Sequence, residues 1–245
     1  MRFIPGLSLR NFIQVFTVDP YLSVIIKSAR IGLMTAVLSA IVAYPLSFFL
    51  AFHVRSSRLK FLIYLLVIVP WWASYLVKAY AWKTILGSGG ILNALLQKAG
   101  LTDEPVRIFL YNEFSVVVTL TFIVTPFAVL SLYAQLERIP TSLIEAARNL
   151  GAGGWMIFWR IIAPISVPGV VAGGIITFSL AFGDFVAPVL VGGPDSVMIS
   201  NIVINLLGVA FDWPMAAAIG LVIITLGLLL ISASGWLEEK TQIRF

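Results

Sequence analysis

The chain alternates long apolar runs with short polar segments. Five runs of about 20 residues each have the length that a helix needs to cross the hydrocarbon core of a bilayer. They cover residues 31–52, 61–82, 114–136, 161–183 and 213–236. Because lipid offers no hydrogen-bond partners to the backbone, apolar runs of this length predict helices. The pattern therefore predicts an all-α integral membrane protein with five transmembrane helices.

The polar segments divide the chain into three predicted parts. Residues 1–30 form an N-terminal arm, with Asp19 as N-cap and Pro20 as the first residue of a helix that begins at the membrane surface. Residues 31–236 form the transmembrane domain, and residues 237–245 form a polar tail.

Shorter helices are expected between the runs. The segment 91–99 has apolar residues at helical spacing and predicts a surface helix in a long loop. The segment 201–209 is apolar but too short to cross a bilayer. Asp212 precedes Trp213 and Pro214, which indicates another helix start.

A polar island rich in small residues occupies 137–160. Ser142 and Glu145 have the spacing of a capping box, and Gly151 suits the position that ends a helix, since glycine reaches left-handed backbone angles without a Cβ clash. The predicted helix has about two turns, too few for stability in isolation. It therefore needs a partner surface, and the small side chains of Ala146 and Ala147 would let another backbone approach. The alternative is a surface turn between two membrane helices.

The residue pattern that begins in this polar island extends into the next apolar run. The residues that carry it are Glu145, Ala146, Ala147, Gly151, Ile161, Ala163 and Pro164. This pattern resembles the EAA loop of type I ABC importer permeases, although the family usually has Leu where this chain has Ala163. The resemblance implies a cytoplasmic loop that docks a short coupling helix into a cleft of an ATPase subunit. The residues it assigns to ATPase coupling are Ser142, Glu145, Ala146, Ala147, Gly151 and Pro164.

The orientation follows from the same resemblance. It places the basic loop 53–60, with Arg55, Arg58 and Lys60, on the cytoplasmic side, as the positive-inside rule also favours. It makes 137–160 a cytoplasmic coupling loop and 237–245 a cytoplasmic tail. The family usually has one more helix before the first span found here, so five spans imply either a trimmed start or a five-helix permease core.

Four residues are candidates for a substrate path. Asp184 is an acidic group near membrane depth, which is a functional hypothesis by default; the alternative is a helix-end residue in contact with headgroups or water. Trp71, Trp72 and Tyr75 offer a cation–π surface, or else belong to an interfacial aromatic belt.

Further stretches are similar to the spermidine/putrescine branch of these permeases. They are 103–108, 181–188, 190–194 and 212–214. The similarity implies a polyamine or related amine solute that a periplasmic binding protein delivers. Relatives in this branch carry opines, other amines and phosphonates, so the solute itself stays open.

Composition excludes other classes. Charged residues make up 11% of the chain, against about 25% in soluble domains. There is no cysteine and His53 is the sole histidine, so no metal site is predicted. The net charge of +5 lies in loops, which indicates membrane topology and not nucleic-acid binding.

The resulting prediction is a non-catalytic permease subunit in a bacterial inner membrane. The sequence lacks a phosphate-binding loop, so the chain is not expected to hydrolyse ATP itself. The resemblance implies that the subunit has no cofactor and that a partner subunit binds ATP. The implied partners are an ATPase dimer, a second permease subunit in a heterodimer, a periplasmic binding protein and membrane lipid. The rival predictions are a stand-alone secondary transporter or channel for a small cation, and a membrane enzyme, for which no cluster of catalytic polar residues is visible.

Overall fold

This computed structural model describes residues 9–241, with the backbone alone for 230, 231 and 233–241. The described residues are almost entirely helical. The helices are α1 Arg10–Thr17, α2 Tyr21–Phe52, α3 Ser57–Trp72, α4 Tyr75–Leu86, α5 Ile91–Lys98, α6 Glu113–Leu136, α7 Thr141–Asn149, α8 Gly154–Phe182, α9 Ile199–Gly208 and α10 Trp213–Thr241. The all-α prediction is confirmed.

Helices α2, α6 and α8 form the central bundle. Arg30 of α2 pairs with Glu113 of α6 at 2.5 Å, and the Ser47 hydroxyl donates to the Val129 carbonyl at 3.2 Å. The difference in residue number between the two partners is nearly the same for both pairs, so α2 and α6 run in the same direction.

Helix α8 runs antiparallel to α2. The hydroxyls of Tyr44 and Ser166 lie 2.9 Å apart, and Gly32 lies against the ring of Phe178 near the other end. The three helices therefore hold one another along their full length.

Glycines let α8 approach α6 closely. A Cβ atom at Gly169 would lie 2.6 Å from Cβ of Gln135, and one at Gly173 would lie 3.2 Å from Cα of Ala128. Small residues at such contacts are the usual means by which membrane helices pack, because lipid provides no hydrophobic drive between them. The α6–α8 contact thus depends on the missing side chains.

The run 61–82 is not one straight helix. Helices α3 and α4 meet at a bend of 93°, because the chain is extended at Ala73. By length and composition, α2, α6 and α8 are long enough to cross a membrane, and the bent pair raises the number of candidate spans to four. The fifth expected span falls on α10, whose apolar part with described side chains, Trp213–Leu229, is shorter than a span. The number five is not confirmed.

Several expected boundaries differ from the structure. Helix α2 begins at Tyr21, with Pro20 as its N-cap residue and no side-chain cap, so Asp19 does not cap it. Residues 21–30 of the predicted arm belong to this same helix, and residues 1–8 of that arm lie outside the described residues. Residues 242–245 of the predicted tail also lie outside them.

Helix α8 starts seven residues before the predicted position, because the apolar residues from Trp155 onward join it. A π-helical turn, Phe158–Ile162, ends two residues before Pro164, and the Ala163 amide donates to the Phe158 carbonyl. The predicted short helices are confirmed as α5 and α9, and Asp212 caps α10 through the Met215 amide at 3.1 Å.

Candidate coupling and substrate-path sites

The helix in the polar island is α7, and its start differs from the prediction. Its N-cap residue is Pro140, and no side chain caps it. Ser142 lies inside the first turn, so the predicted capping box of Ser142 and Glu145 is wrong. The fixed backbone angle of Pro140 leads the chain into the helix two residues earlier than the cap pattern implies.

The end of α7 agrees with the prediction. Gly151 has φ +83°, in the left-handed region. Its amide donates to the Arg148 carbonyl at 2.9 Å, and the Ala152 amide donates to the Ala147 carbonyl at 3.0 Å. These two bonds are the Schellman motif, which satisfies the last carbonyls of a helix.

Helix α7 has an exposed face and a packed face. Ser142, Glu145 and Ala146 are exposed, and their spacing places them on one side. Ile144 and Ala147 are partly buried against a cluster of Leu136, Ile139, Ile157 and Ile162. Ala146 is therefore free for a partner, whereas Ala147 packs against its own chain.

Two exposed apolar side chains beside α7 were not singled out from the sequence. Leu150 is 88% exposed and Trp155 is 76% exposed. Leu150 precedes and Trp155 follows the glycines at 151, 153 and 154. An apolar residue beside a glycine-rich turn is the sequence signal that could have identified both. Pro164 is exposed on α8 and lies outside the cluster that holds α7.

An ion pair ties α3 to the end of α6 on this side. Lys60 Nζ lies 3.3 Å from Oε1 of Glu137, and the Tyr133 hydroxyl donates to the same oxygen at 2.6 Å. The hydrogen bond from Tyr133, with the charge and hydrogen bond of Lys60, holds the pKa of Glu137 below its usual value. This arrangement fixes the point where α6 leads into α7.

At the other end of the bundle the structure joins two of the four path candidates. The Tyr75 hydroxyl donates a hydrogen bond to Oδ2 of Asp184, and the Ala187 amide donates to Oδ1 at 2.8 Å. Tyr75 is the first residue of α4, directly after the 93° bend, and Asp184 follows the end of α8. Asn201 of α9 donates to the Phe185 carbonyl at 2.8 Å and holds the same turn.

The helix register gives the depth of this pair. The contacts of Gly169 with Gln135 and of Gly173 with Ala128 set the antiparallel alignment of α8 and α6. Extended to Asp184, that alignment reaches residues 117–120 of α6. At 1.5 Å per residue this is about 6–10 Å inside the start of α6. Asp184 thus lies inside this end of the bundle, below the level at which α6 begins.

The two tryptophans lie apart from this pair. Trp71 packs edge-on against Phe127, with ring centroids 5.4 Å apart, and lines a cavity of about 440 Å³. Trp72 is 80% exposed. The four candidates therefore do not form one cluster.

Comparison with known proteins places the chain in a family. Residues 43–243 match the family described as binding-protein-dependent transport system inner membrane component. The chain is 37% identical over 238 residues to the inner membrane ABC transporter permease protein YdcU of Escherichia coli (strain K12), covering 92% of this chain and 74% of that protein. It is 34% identical over 242 residues to the spermidine/putrescine transport system permease protein PotB of the same organism, covering 96% and 86%.

Solved structures show the same fold. A bacterial alginate ABC transporter in complex with a periplasmic protein bound to alginate pentasaccharide has a TM-score of 0.79 at 18% identity, covering 96% of this chain and 84% of that one. The MetNI methionine ABC transporter has a TM-score of 0.67 at 15% identity, covering 90% and 95%. The chain therefore belongs to the binding-protein-dependent inner membrane transport components and is a permease subunit of an ABC importer.

Proposed function

We propose that this subunit forms half of the path for an amine solute and that Asp184 is the counter-charge for the solute. The observation that carries the proposal is the Asp184 carboxylate, which lies inside the bundle below the level at which α6 begins and has one oxygen held by the Tyr75 hydroxyl. Acidic groups at membrane depth commonly mark solute or ion pathways. The similarity to a permease named for spermidine and putrescine supports an amine.

The chemistry of the pair suits reversible capture of a cation. Asp184 receives one hydrogen bond from a neutral phenol and one from the Ala187 amide. An ammonium group brings three donors and a positive charge, and charge-assisted hydrogen bonds are roughly twice as strong as neutral ones. An arriving amine therefore displaces the Tyr75 hydroxyl, and Tyr75 closes over Asp184 again when the amine leaves.

Trp72 completes the proposed path. Its side chain is exposed and directly precedes the bend that presents Tyr75. A cation over such a ring gains about 0.5–2 kcal/mol. Trp71, which packs against Phe127, has a supporting role in this scheme.

Coupling to ATP takes place at the opposite end. Glu145 and Ala146, on the exposed face of α7, enter the cleft of an ATPase dimer, and Leu150 and Trp155 extend the contact. The ATPase subunits bind ATP, and their closure moves α7 together with the ends of α6 and α8. A second, non-identical permease subunit completes the path, and a periplasmic binding protein delivers the solute.

Uptake by the assembled transporter tests the amine site. Proteoliposomes containing this chain with its partner subunits are supplied with the binding protein and labelled spermidine or putrescine. Asp184→Asn is expected to reduce uptake at least tenfold while ATPase association is unchanged. The matched control is Asp195→Asn, in the segment between α8 and α9. Undiminished uptake by Asp184→Asn would overturn the assignment.

A further inference from the structure

A cavity of about 440 Å³ lies between α2, α3, α4 and α6. Its walls are aliphatic and aromatic, with Leu66, Val67 and Pro70 on α3 and Phe122 on α6. Leu66 and Phe122 are at least half exposed, so the cavity opens towards the surroundings of the bundle. An apolar cavity with such a mouth suits an apolar chain and not a hydrated ion.

One ammonium group lines this cavity. Lys78 of α4 lies among the apolar walls, one helical turn after Tyr75. The ion pairs between described side chains are Arg30–Glu113 and Lys60–Glu137, so Lys78 has no carboxylate partner among them. A charge at membrane depth is costly without a counter-charge, and such groups usually pair or reach the interface.

A second polar group that lines the cavity, on α6, lacks a hydrogen-bond partner among the described residues. The Thr121 hydroxyl is buried and has no hydrogen-bond partner among the described residues. A buried hydroxyl without a partner costs free energy, so it favours a ligand that brings an acceptor. The cavity thus offers a positive charge and a hydroxyl donor within apolar walls.

The charge excludes the amine solute from this cavity. Lys78 lines the cavity together with Val118 and Phe122 of α6. An ammonium group in this lining repels a cation that enters the cavity. The ligand of the cavity must instead be anionic at one end and apolar at the other.

We propose that this cavity binds one anionic phospholipid, with an acyl chain between α2, α3 and α6 and the phosphate on Lys78. The Thr121 hydroxyl donates to an ester carbonyl of the lipid. Lys78 extends along the apolar wall towards the headgroup region, as lysines near helix ends do. The bound lipid holds α4 at its bend and so supports the helix that carries Tyr75.

Lipid retention tests this proposal. The complete transporter is purified from nanodiscs of mixed phosphatidylglycerol and phosphatidylcholine, and the lipids that remain bound are measured by native mass spectrometry. Wild type is expected to retain phosphatidylglycerol in preference to phosphatidylcholine. In Lys78→Gln this preference is expected to fall about fivefold, because one basic residue near an anionic surface contributes an effect of that size. Lys78→Arg is expected to keep it.

Two further variants separate charge from cavity. Lys83→Gln is the matched control, because Lys83 lies on the same helix but over the rings of Tyr80 and Tyr111 outside this cavity; it should leave retention unchanged. Val42→Phe fills the cavity while Lys78 remains, and should also release the lipid. The proposal is overturned if Lys78→Gln retains phosphatidylglycerol as wild type does. It is also overturned if Lys78→Gln loses the second permease subunit while lipid binding is unchanged, because Lys78 would then pair with a carboxylate of that subunit. Asp184→Asn should retain the lipid, so a failure of the amine proposal can be distinguished from a failure of the lipid proposal.

Discussion

Tyr75 and Asp184 are 109 residues apart in the sequence, yet the Tyr75 hydroxyl donates a hydrogen bond to the Asp184 carboxylate. The bond joins the start of α4 to the turn after α8. It thus links the bent, outer part of the chain to the central bundle at the residue proposed to receive the solute.

Tyr75→Phe removes this hydroxyl and keeps the ring. The Asp184 oxygen then loses its donor, which is expected to destabilise the protein by about 1–3 kcal/mol. Thermal unfolding of the purified transporter measures the change, with Tyr80→Phe as the control because that ring is exposed. An equal melting temperature for Tyr75→Phe and wild type would show that the bond contributes nothing.

Gly151→Ala tests the end of α7, the helix proposed to contact the ATPase. No atom lies within 4 Å of an added Cβ, so the cost comes from the left-handed backbone, at φ +83°. About 1–2 kcal/mol is expected. Weaker association with the ATPase in pull-down assays should accompany it. The control is Gly154→Ala, which has the same open surroundings within helix α8 and should bind normally.

The α6–α8 contact gives a matched pair of glycines. Gly169→Ala places a methyl group 2.6 Å from Gln135 and is expected to cost about 1–3 kcal/mol through displacement of the helices. Gly174→Ala meets nothing within 4 Å and should be neutral or slightly stabilising. Melting temperatures of the two variants measure this, and equal values would contradict the packing described above.

Glu137→Gln gives a pH-dependent effect. The lowered pKa of Glu137 means that its charged form stabilises the fold above the usual carboxyl pKa, and that this stability is lost as the pH falls through the lowered value. At neutral pH the variant should be less stable by about 1 kcal/mol, since the pair is partly exposed. Melting curves from pH 7 downwards should converge with those of wild type. A constant difference across this range would assign the effect to packing.

The sequence predicted the elements that depend on local chemistry. The end of α7 at Gly151 and the start of α10 after Asp212 follow from backbone angles and side-chain caps within a few residues. The start of α7 did not follow, because the helix begins directly after Pro140 without a side-chain cap and Ser142 lies within its first turn. The bend after Trp72 was missed because hydropathy records the polarity of a run and not its direction.

The site was predictable residue by residue but not as an arrangement. Tyr75 and Asp184 each stood out by type and depth, but only the packed bundle brings them together. Trp71 stood out equally and lies elsewhere. Ala147 belongs to the recognised motif, yet its inward orientation depends on the cluster around Leu136 and Ile157, which the motif does not contain.

That cluster has a mechanical consequence. It clamps α7 to Leu136 at the end of α6 and to Ile157 at the start of α8, two antiparallel helices in tight glycine contact. A displacement of α7 would therefore move the end of α6 and the start of α8 together. The 93° bend between α3 and α4 lies at the far end of the subunit, outside this clamped pair.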